Sequence, residues 1–178
     1  MKKYLSVFAI ASTCYCISCN TKSEGGLSPT AQKNLDAMHG VSASFESKDF
    51  SKLGDYIAAD AVDHSGDNGD IKGLDSIRAA FVKEDAGFDN MKTEYIKDLA
   101  DDEYAMSWEH FTGTYKTDMM GHRAGDKFDL KSIEVAKFKD GKATEHWSMM
   151  EAADVEKMMA AMQAPAMPMA KDSTKKKM

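Results

Sequence analysis

Acid–base chemistry on a small molecule needs a carboxyl or imidazole group held away from water, and the second half of this 178-residue chain supplies such groups in alternating order. Along His146-Trp147-Ser148-Met149-Met150-Glu151, an extended backbone puts Trp147, Met149 and Glu151 on one face and His146, Ser148 and Met150 on the other. Between Tyr104 and Tyr115 the same alternation groups Tyr104, Met106, Trp108, His110, Thr112 and Thr114. With Trp108 and Trp147 turned inward, Glu151 and His110 would stand among aromatic rings. A carboxyl in such surroundings loses hydration and its pKa rises, which suits a general acid or base near neutral pH. His64, in Asp63-His64-Ser65, would hydrogen-bond that carboxyl or polarise a substrate carbonyl.

Each of these residues also has a plainer role. Glu151 suits a helix-start carboxylate ahead of Asp154 and Val155. Asp63-His64-Ser65 suits a turn that satisfies its own hydrogen bonds, and His110 a partly buried structural histidine. His122 and Arg123 lie between Gly121 and Gly125 and read as a solvated loop, or as a gate that meets an anionic substituent.

The elements that must position these groups change period midway. Pro29 after Ser28, then Leu35, Met38, Val41, Ala43 and Phe45, give a first helical stripe. Asp49 to Ala59 reads as a second, shorter helix with Leu53, Tyr56 and Ile57 on one face, and Leu74, Ile77, Ala80 and Phe81 follow Gly73 as a third. Past Asn90 the period becomes two. Met91 to Tyr95 alternates toward an Asp101-Asp102 turn, Tyr104–Tyr115 and Phe128–Phe138 are long strands, and Asp140-Gly141 signals a tight hairpin into Ala143–Met150. Val155, Met158, Met159 and Met162 close with a short helix. The order predicts an α+β fold: three N-terminal helices packed on a strongly curved, mostly antiparallel sheet with a conical interior.

Composition bounds the rest. All three cysteines, Cys14, Cys16 and Cys19, fall in the first nineteen residues, so the folded part has no thiol for a disulfide, catalysis or metal binding. A net charge of −6 with no basic cluster in the folded part argues against nucleic-acid binding and against electrostatic adhesion to anionic lipid. The five histidines show no His-x-His or His-x-x-x-His spacing, so no metal site is assigned, and nothing Gly-rich suggests a nucleotide cofactor. Asp67, Asn68 and Asp70 around Gly69 lack the final glutamate of a calcium loop and read as a surface turn. Fourteen methionines fit flexible core filling; copper(I) capture by thioethers is the less favoured alternative.

At the N-terminus, Lys2 and Lys3 precede an apolar run from Leu5 to Ile17, too short for a stable membrane span and of export-signal form. Ile17-Ser18-Cys19 resembles the lipobox of bacterial lipoproteins, although Cys16 stands where leucine is usual. That resemblance implies lipidation of Cys19 and a membrane anchor. With Asn20 following, it implies a place in the cell envelope of a Gram-negative bacterium, as an outer-membrane lipoprotein. The expected organisation is a signal over 1–19, a tether over 20–29, a domain over 30–162 and a disordered, proline-interrupted tail over 163–178.

From about Leu35 to Met159 the chain resembles the SnoaL-like branch of the NTF2-like superfamily. Asp63-His64-Ser65, Gly73, Phe111-Thr112-Gly113-Thr114, and Asp140-Gly141-Lys142 followed by Glu145-His146-Trp147 carry the likeness. The resemblance implies a cone open at one end to a small hydrophobic ligand, and members that include polyketide cyclases, isomerases and dehydratases. It implies an acid/base role for the position four residues after the tryptophan, here Glu151, and a pocket role for His64. Tyr115 replaces a frequent histidine, and Trp108, Trp147, Tyr115 and Met149 are the expected pocket residues. Glutamate in place of the family's aspartate moves the reactive oxygen by about 1 Å, a displacement that can cost a hundredfold in rate.

The leading expectation is a small-molecule-binding domain. Cofactor-independent proton transfer on a carbonyl compound comes second, and a non-enzymatic envelope interaction module third. A homodimer through the sheet's convex face is also implied by the resemblance.

Overall fold

Serine before proline opens the first helix, and the helix does what that pair predicts. In the computed structural model, which describes residues 26–66 and 68–163, the Ser28 hydroxyl accepts from the Ala31 N–H at 3.0 Å and Pro29 begins helix α1 (Pro29–Ser47). The helix ends where Lys48 takes a left-handed conformation (φ 57°). Its buried stripe includes Ala31, Asn34, Leu35 and Met38, the i, i+3, i+4, i+7 spacing of a face laid on a sheet. The expected signal with Cys19, the tether up to residue 25, Asp67 and the tail beyond Gln163 lie outside the described residues.

The second helix is a single turn, α2 (Leu53–Tyr56), rather than the longer helix expected over Asp49–Ala59. Ile57 leaves the helix at φ −116°, ψ 136°, and Ile57–Asp63 forms strand β1. Local preference in Ile-Ala-Ala-Asp-Ala favours a helix, but this segment supplies the partner that the last strand needs, and sheet pairing overrides propensity. A two-residue strand, β2 (Ile71–Lys72), pairs with β1 ahead of helix α3 (Leu74–Asp85).

Four long strands follow: β3 (Phe88–Ala100), β4 (Tyr104–Tyr115), β5 (Lys127–Lys139) and β6 (Lys142–Met150), then helix α4 (Ala152–Gln163). The sheet order is β2-β1-β6-β5-β4-β3. All neighbours are antiparallel except β1 and β6, which run parallel. The expected α+β architecture of a curved sheet with helices is present, and Asp140-Gly141 turns β5 into β6 with both residues at positive φ (56° and 77°), the twist-matched hairpin geometry.

Two apolar clusters hold the helices to the sheet. Phe50, Leu53, Ile57, Ala61, Ile77 and Phe81 join α2, α3 and β1, while Ala37, Met38, Ala105, Ala136 and Phe138 seat α1 on β4 and β5. Helix α1 also lies along β3. One face of the central strands is thus roofed by α1, and the other is open.

Candidate functional site

Alternation along the strands is as the sequence indicates, but its direction is the reverse of the expected one. Ala105, Ser107 and Glu109 of β4 are fully buried beneath α1, whereas Trp108 is 37 % exposed on the open face. Register carries this across the sheet: Trp108 pairs with Ile133, Ile133 with Met149, Met106 with Val135, and Val135 with Trp147. Trp108, Trp147, Met149 and His110 therefore stand on the open face. Tyr115, at an odd position of β4, is buried in a cluster with Phe88, Phe128 and His122. Three of the four expected pocket residues thus share one face, and Tyr115 lies apart from them.

The three expected catalytic residues are also apart. His64 lies in the turn after β1, stacked on Trp147 with ring centroids 4.9 Å apart, its nitrogens facing Asp70 (3.0 Å) and Glu145 (3.3 Å). His110 sits between Asp129 (2.9 Å) and Glu94 (3.5 Å) on the open face. The hydrogen bond to Asp70 raises the pKa of His64, and that to Asp129 raises the pKa of His110. Glu151 lies between β6 and α4, where its carbonyl accepts the N–H groups of Asp154 and Val155, the helix-start position. None of the three faces the roofed interior of the sheet.

That interior carries a different set. On β5, Glu134 Oε1 accepts the hydroxyls of Ser132 (2.5 Å) and Ser148 (2.9 Å), and its Oε2 accepts His146 Nε2 (3.0 Å). His146 Nδ1 donates to Asp63 Oδ1 at 3.1 Å, and Asp63 also accepts the backbone N–H and hydroxyl of Ser65. Asp63 thus organises its turn, as the sequence suggested, and holds an imidazole as well. Parallel pairing makes this possible by setting Asp63 beside His146.

Next along the row, Glu109 meets the Ser42 hydroxyl of α1, at 3.3 Å from both carboxylate oxygens, and Ser107 of its own strand lies close by. Beyond it Asp98 accepts Ser107 Oγ (2.5 Å) and faces His39 Nε2 (3.1 Å), and His39 stacks on Tyr95 at 3.9 Å.

The electrostatics of the row follow from its donors. Burial acts against the His146 imidazolium, but hydrogen bonds and charge from Asp63 and Glu134 outweigh it and raise the pKa to about 9. Burial acts against the Asp63 carboxylate too, and His146 and Ser65 overcome it, lowering the value to about 2. Glu109 has no such compensation. Burial first, and the Glu134 carboxylate second, push it up to about 7 against the weaker effects of Ser42 and Ser107. Burial also moves the Tyr95 phenol up to about 12, keeping it a neutral donor.

Ser65 Oγ lies 3.3 Å from His146 Nδ1, with Glu134 on the other nitrogen, so a serine, a histidine and a carboxylate stand in the order of a nucleophilic triad. The electrostatics decide against it. An imidazole charged up to about pH 9 has no lone pair for the serine proton at neutral pH, and Ser65 donates to Asp63 instead. Among the described residues no group of three histidine, cysteine or acidic side chains has the arrangement of a metal site. Clefts of about 490 and 630 Å³ lie near Ser28 and Asp102 and near Lys33 and Asp140, away from Glu109.

A sequence signal for this row existed. Ser107-x-Glu109, Ser132-x-Glu134 and His146-x-Ser148 repeat a polar, period-two pattern on three strands that pair in register. Helix α1 carries His39 and Ser42 toward it, and the apolar weight of Trp108, Trp147 and Met149 on the opposite face drew attention away.

A family model described as SnoaL-like polyketide cyclase matches residues 35–159. Among solved structures, TsrD from Streptomyces laurentii is 17 % identical with a TM-score of 0.63, over 76 % of this chain and 99 % of that one. A SnoaL-like polyketide cyclase from Agrobacterium tumefaciens strain C58 is 18 % identical with a TM-score of 0.60, over 71 % and 97 %. No sequence among the curated proteins matches.

The state of Glu109 has a measurable consequence for stability. In the fold its proton is held up to about pH 7, against an ordinary value of 4.5, so its contribution to stability is complete below pH 4.5 and is lost as pH rises through 7. Glu109→Gln removes that loss. Urea unfolding of the variant and the wild type at pH 5 and pH 8 should show the variant gaining about 2–3 kcal/mol relative to the wild type at the higher pH. An equal difference at both pH values would mean that Glu109 is ionised normally.

Proposed function

From the premise that the chain belongs to the SnoaL-like polyketide cyclase family, we propose that it binds a small carbonyl-containing molecule against the roofed face of the sheet and moves a proton on it at Glu109. The observation that carries this reading is a fully buried carboxyl with one weak hydroxyl partner, poised near neutral pH. In the step, the bond from hydrogen to the carbon beside the carbonyl breaks and its electron pair passes into an enolate. The proton forms an O–H bond on Glu109, which returns it elsewhere on the same molecule. Isomerisation and cyclisation fit this step without a cofactor, and hydration would in addition take up a water molecule from solvent. The hydroxyls of Ser42 and Tyr95, which adjoin Glu109, are the donors available to the developing oxyanion. Glu151, His64 and His110, which the family resemblance or the spacing suggested, give way to Glu109 because they do not share its face.

Binding without turnover is the second reading. It is favoured by the depth of Glu109, which is fully buried where α1 packs on β4. The two separate in a panel of small ketones, aldehydes and keto esters, with solvent deuterium exchange followed by NMR. Turnover predicts exchange beside the carbonyl that falls at least about a hundredfold in Glu109→Gln and persists in Glu151→Gln. Undiminished exchange in Glu109→Gln would eliminate Glu109 as the proton carrier, and retention of a panel compound without exchange would favour binding alone.

The open face is proposed as the contact with a second copy of this chain. Leu99, Met106, Val135 and Trp147 form one row across β3 to β6, with Trp108, Ile133 and Met149 beside it, and Leu99 and Met149 are about half exposed. Charges of both signs, Lys97, Lys131 and Lys137 with Glu94, Asp129 and Glu145, border the rows, so two copies present opposite charges to each other. Light scattering of unacylated Cys19→Ser chain should give twice the monomer mass, and Trp108→Lys in that background should give the monomer.

Export and acylation complete the proposal and rest on Lys2-Lys3, the apolar run and Ile17-Ser18-Cys19. They give a lipid-anchored domain in the envelope, on the outer membrane. Intact mass of the membrane-extracted protein should show a diacylglyceryl adduct on Cys19, and a mass without it would sink the lipoprotein assignment.

A further inference from the structure

Two carboxyls share the roofed face, Glu109 fully buried and Glu134 partly so, and the protein treats them unequally. Glu134 receives three donors, Ser132, Ser148 and a histidine held on its far side by Asp63. Glu109 receives one hydroxyl at 3.3 Å. An ionised carboxylate out of water is costly unless donors replace its hydration, and two neighbouring carboxylates raise that cost for each other. The pair therefore ionises first at the better-solvated member.

We propose that His146 is a positioning residue: held between Asp63 and Glu134, it fixes the negative charge on Glu134 and so makes Glu109 the carboxyl that takes up and releases the pair's proton. This deepens the proton-transfer reading and rests on it for its functional meaning, but the charge arrangement itself exists without any ligand.

The charged and titratable groups facing the pair are few. From β1 and its turn come Asp63 and, as a neutral donor, Ser65. From β6 comes His146 with Ser148, from β5 Glu134 with Ser132, and from β4 Glu109 with Ser107. From β3 come Asp98 and Tyr95, and from α1 His39, which faces Asp98, with Ser42. Glu46 of α1 lies toward Tyr95, bonded to the Thr93 N–H and paired with Lys92. Among the described residues the cation bonded to Glu134 is His146, and none is bonded to the Glu109 carboxyl. The pKa directions agree: His146 is raised by its two carboxylates after burial is overcome, and Glu109 is raised by burial and by the charge on Glu134.

The test needs no substrate. The full chain, labelled with carbon-13 at glutamate side-chain carboxyls and nitrogen-15 in histidine rings, is titrated by NMR, with Glu109→Gln and Glu134→Gln identifying the two carboxyl signals. In the wild type the Glu109 signal should titrate near neutral pH while His146 stays charged beyond pH 8. In His146→Gln the Glu109 titration should move to lower pH, with burial still holding it above the ordinary glutamate range. Asp63→Asn keeps the imidazole but removes half its hold; it should lower the His146 titration by a unit or more and move that of Glu109 in the same direction, so it serves if His146→Gln does not fold.

A wild type in which Glu134 rather than Glu109 titrates near neutral pH would overturn the proposal. So would variants in which Glu109 keeps its titration. A null result in the exchange panel with this titration intact would remove the enzymatic reading alone, and the reverse outcome would remove the role of His146 alone.

Discussion

A carboxyl carried under a helix must find donors or keep its proton, and the roofed face of this sheet meets that constraint in two ways on neighbouring strands. Glu134 finds hydroxyls and an imidazolium; Glu109 finds one distant hydroxyl. Much of the surrounding design serves this inequality. The parallel pairing of β1 with β6 brings Asp63 to His146, the antiparallel register of β5 with β6 brings Ser148 to Glu134, and α1 contributes Ser42 and excludes water. The apolar clusters on either side anchor the helices, so that a polar row lies between two hydrophobic supports.

The fold was legible because its signals are periodic. Ser28-Pro29 opens α1, the shift to alternation after Asn90 announces the strands, and Asp140-Gly141 places the last hairpin. Strand β1 was not legible, since Ile57 to Ala61 has the composition of a helix and becomes a strand only when β6, some eighty residues later, lies beside it. The residues that resemble the SnoaL-like pattern led to the right architecture, which a family model over residues 35–159 and structures of low identity share.

The site was half legible. Alternation sorted Trp147 from His146 and Trp108 from Glu109 correctly, yet it carries no information on which face meets the helices. Hydrophobicity is the usual guide to that choice, and here it misleads. Tryptophan and methionine occupy the open face, while serine, glutamate and histidine occupy the roofed one, because the buried polar groups satisfy one another across strands. Such pairing depends on register, and register is a property of several strands at once. An exposed Trp108 beside a buried Glu109 inverts the usual order of burial for these two residue types.

The parallel contact of β1 with β6 also orders events in time. Asp63 is made early and His146 late, and no shorter segment of chain supplies a partner for the long edge of β1. During synthesis that edge waits until the chain has passed Met150, so the proton-holding row closes as one of the last acts of folding. A chain cut short before β6 would lack His146 and Ser148 and with them the link from Asp63 to Glu134, which ties the chemistry of the interior to completion of the polypeptide.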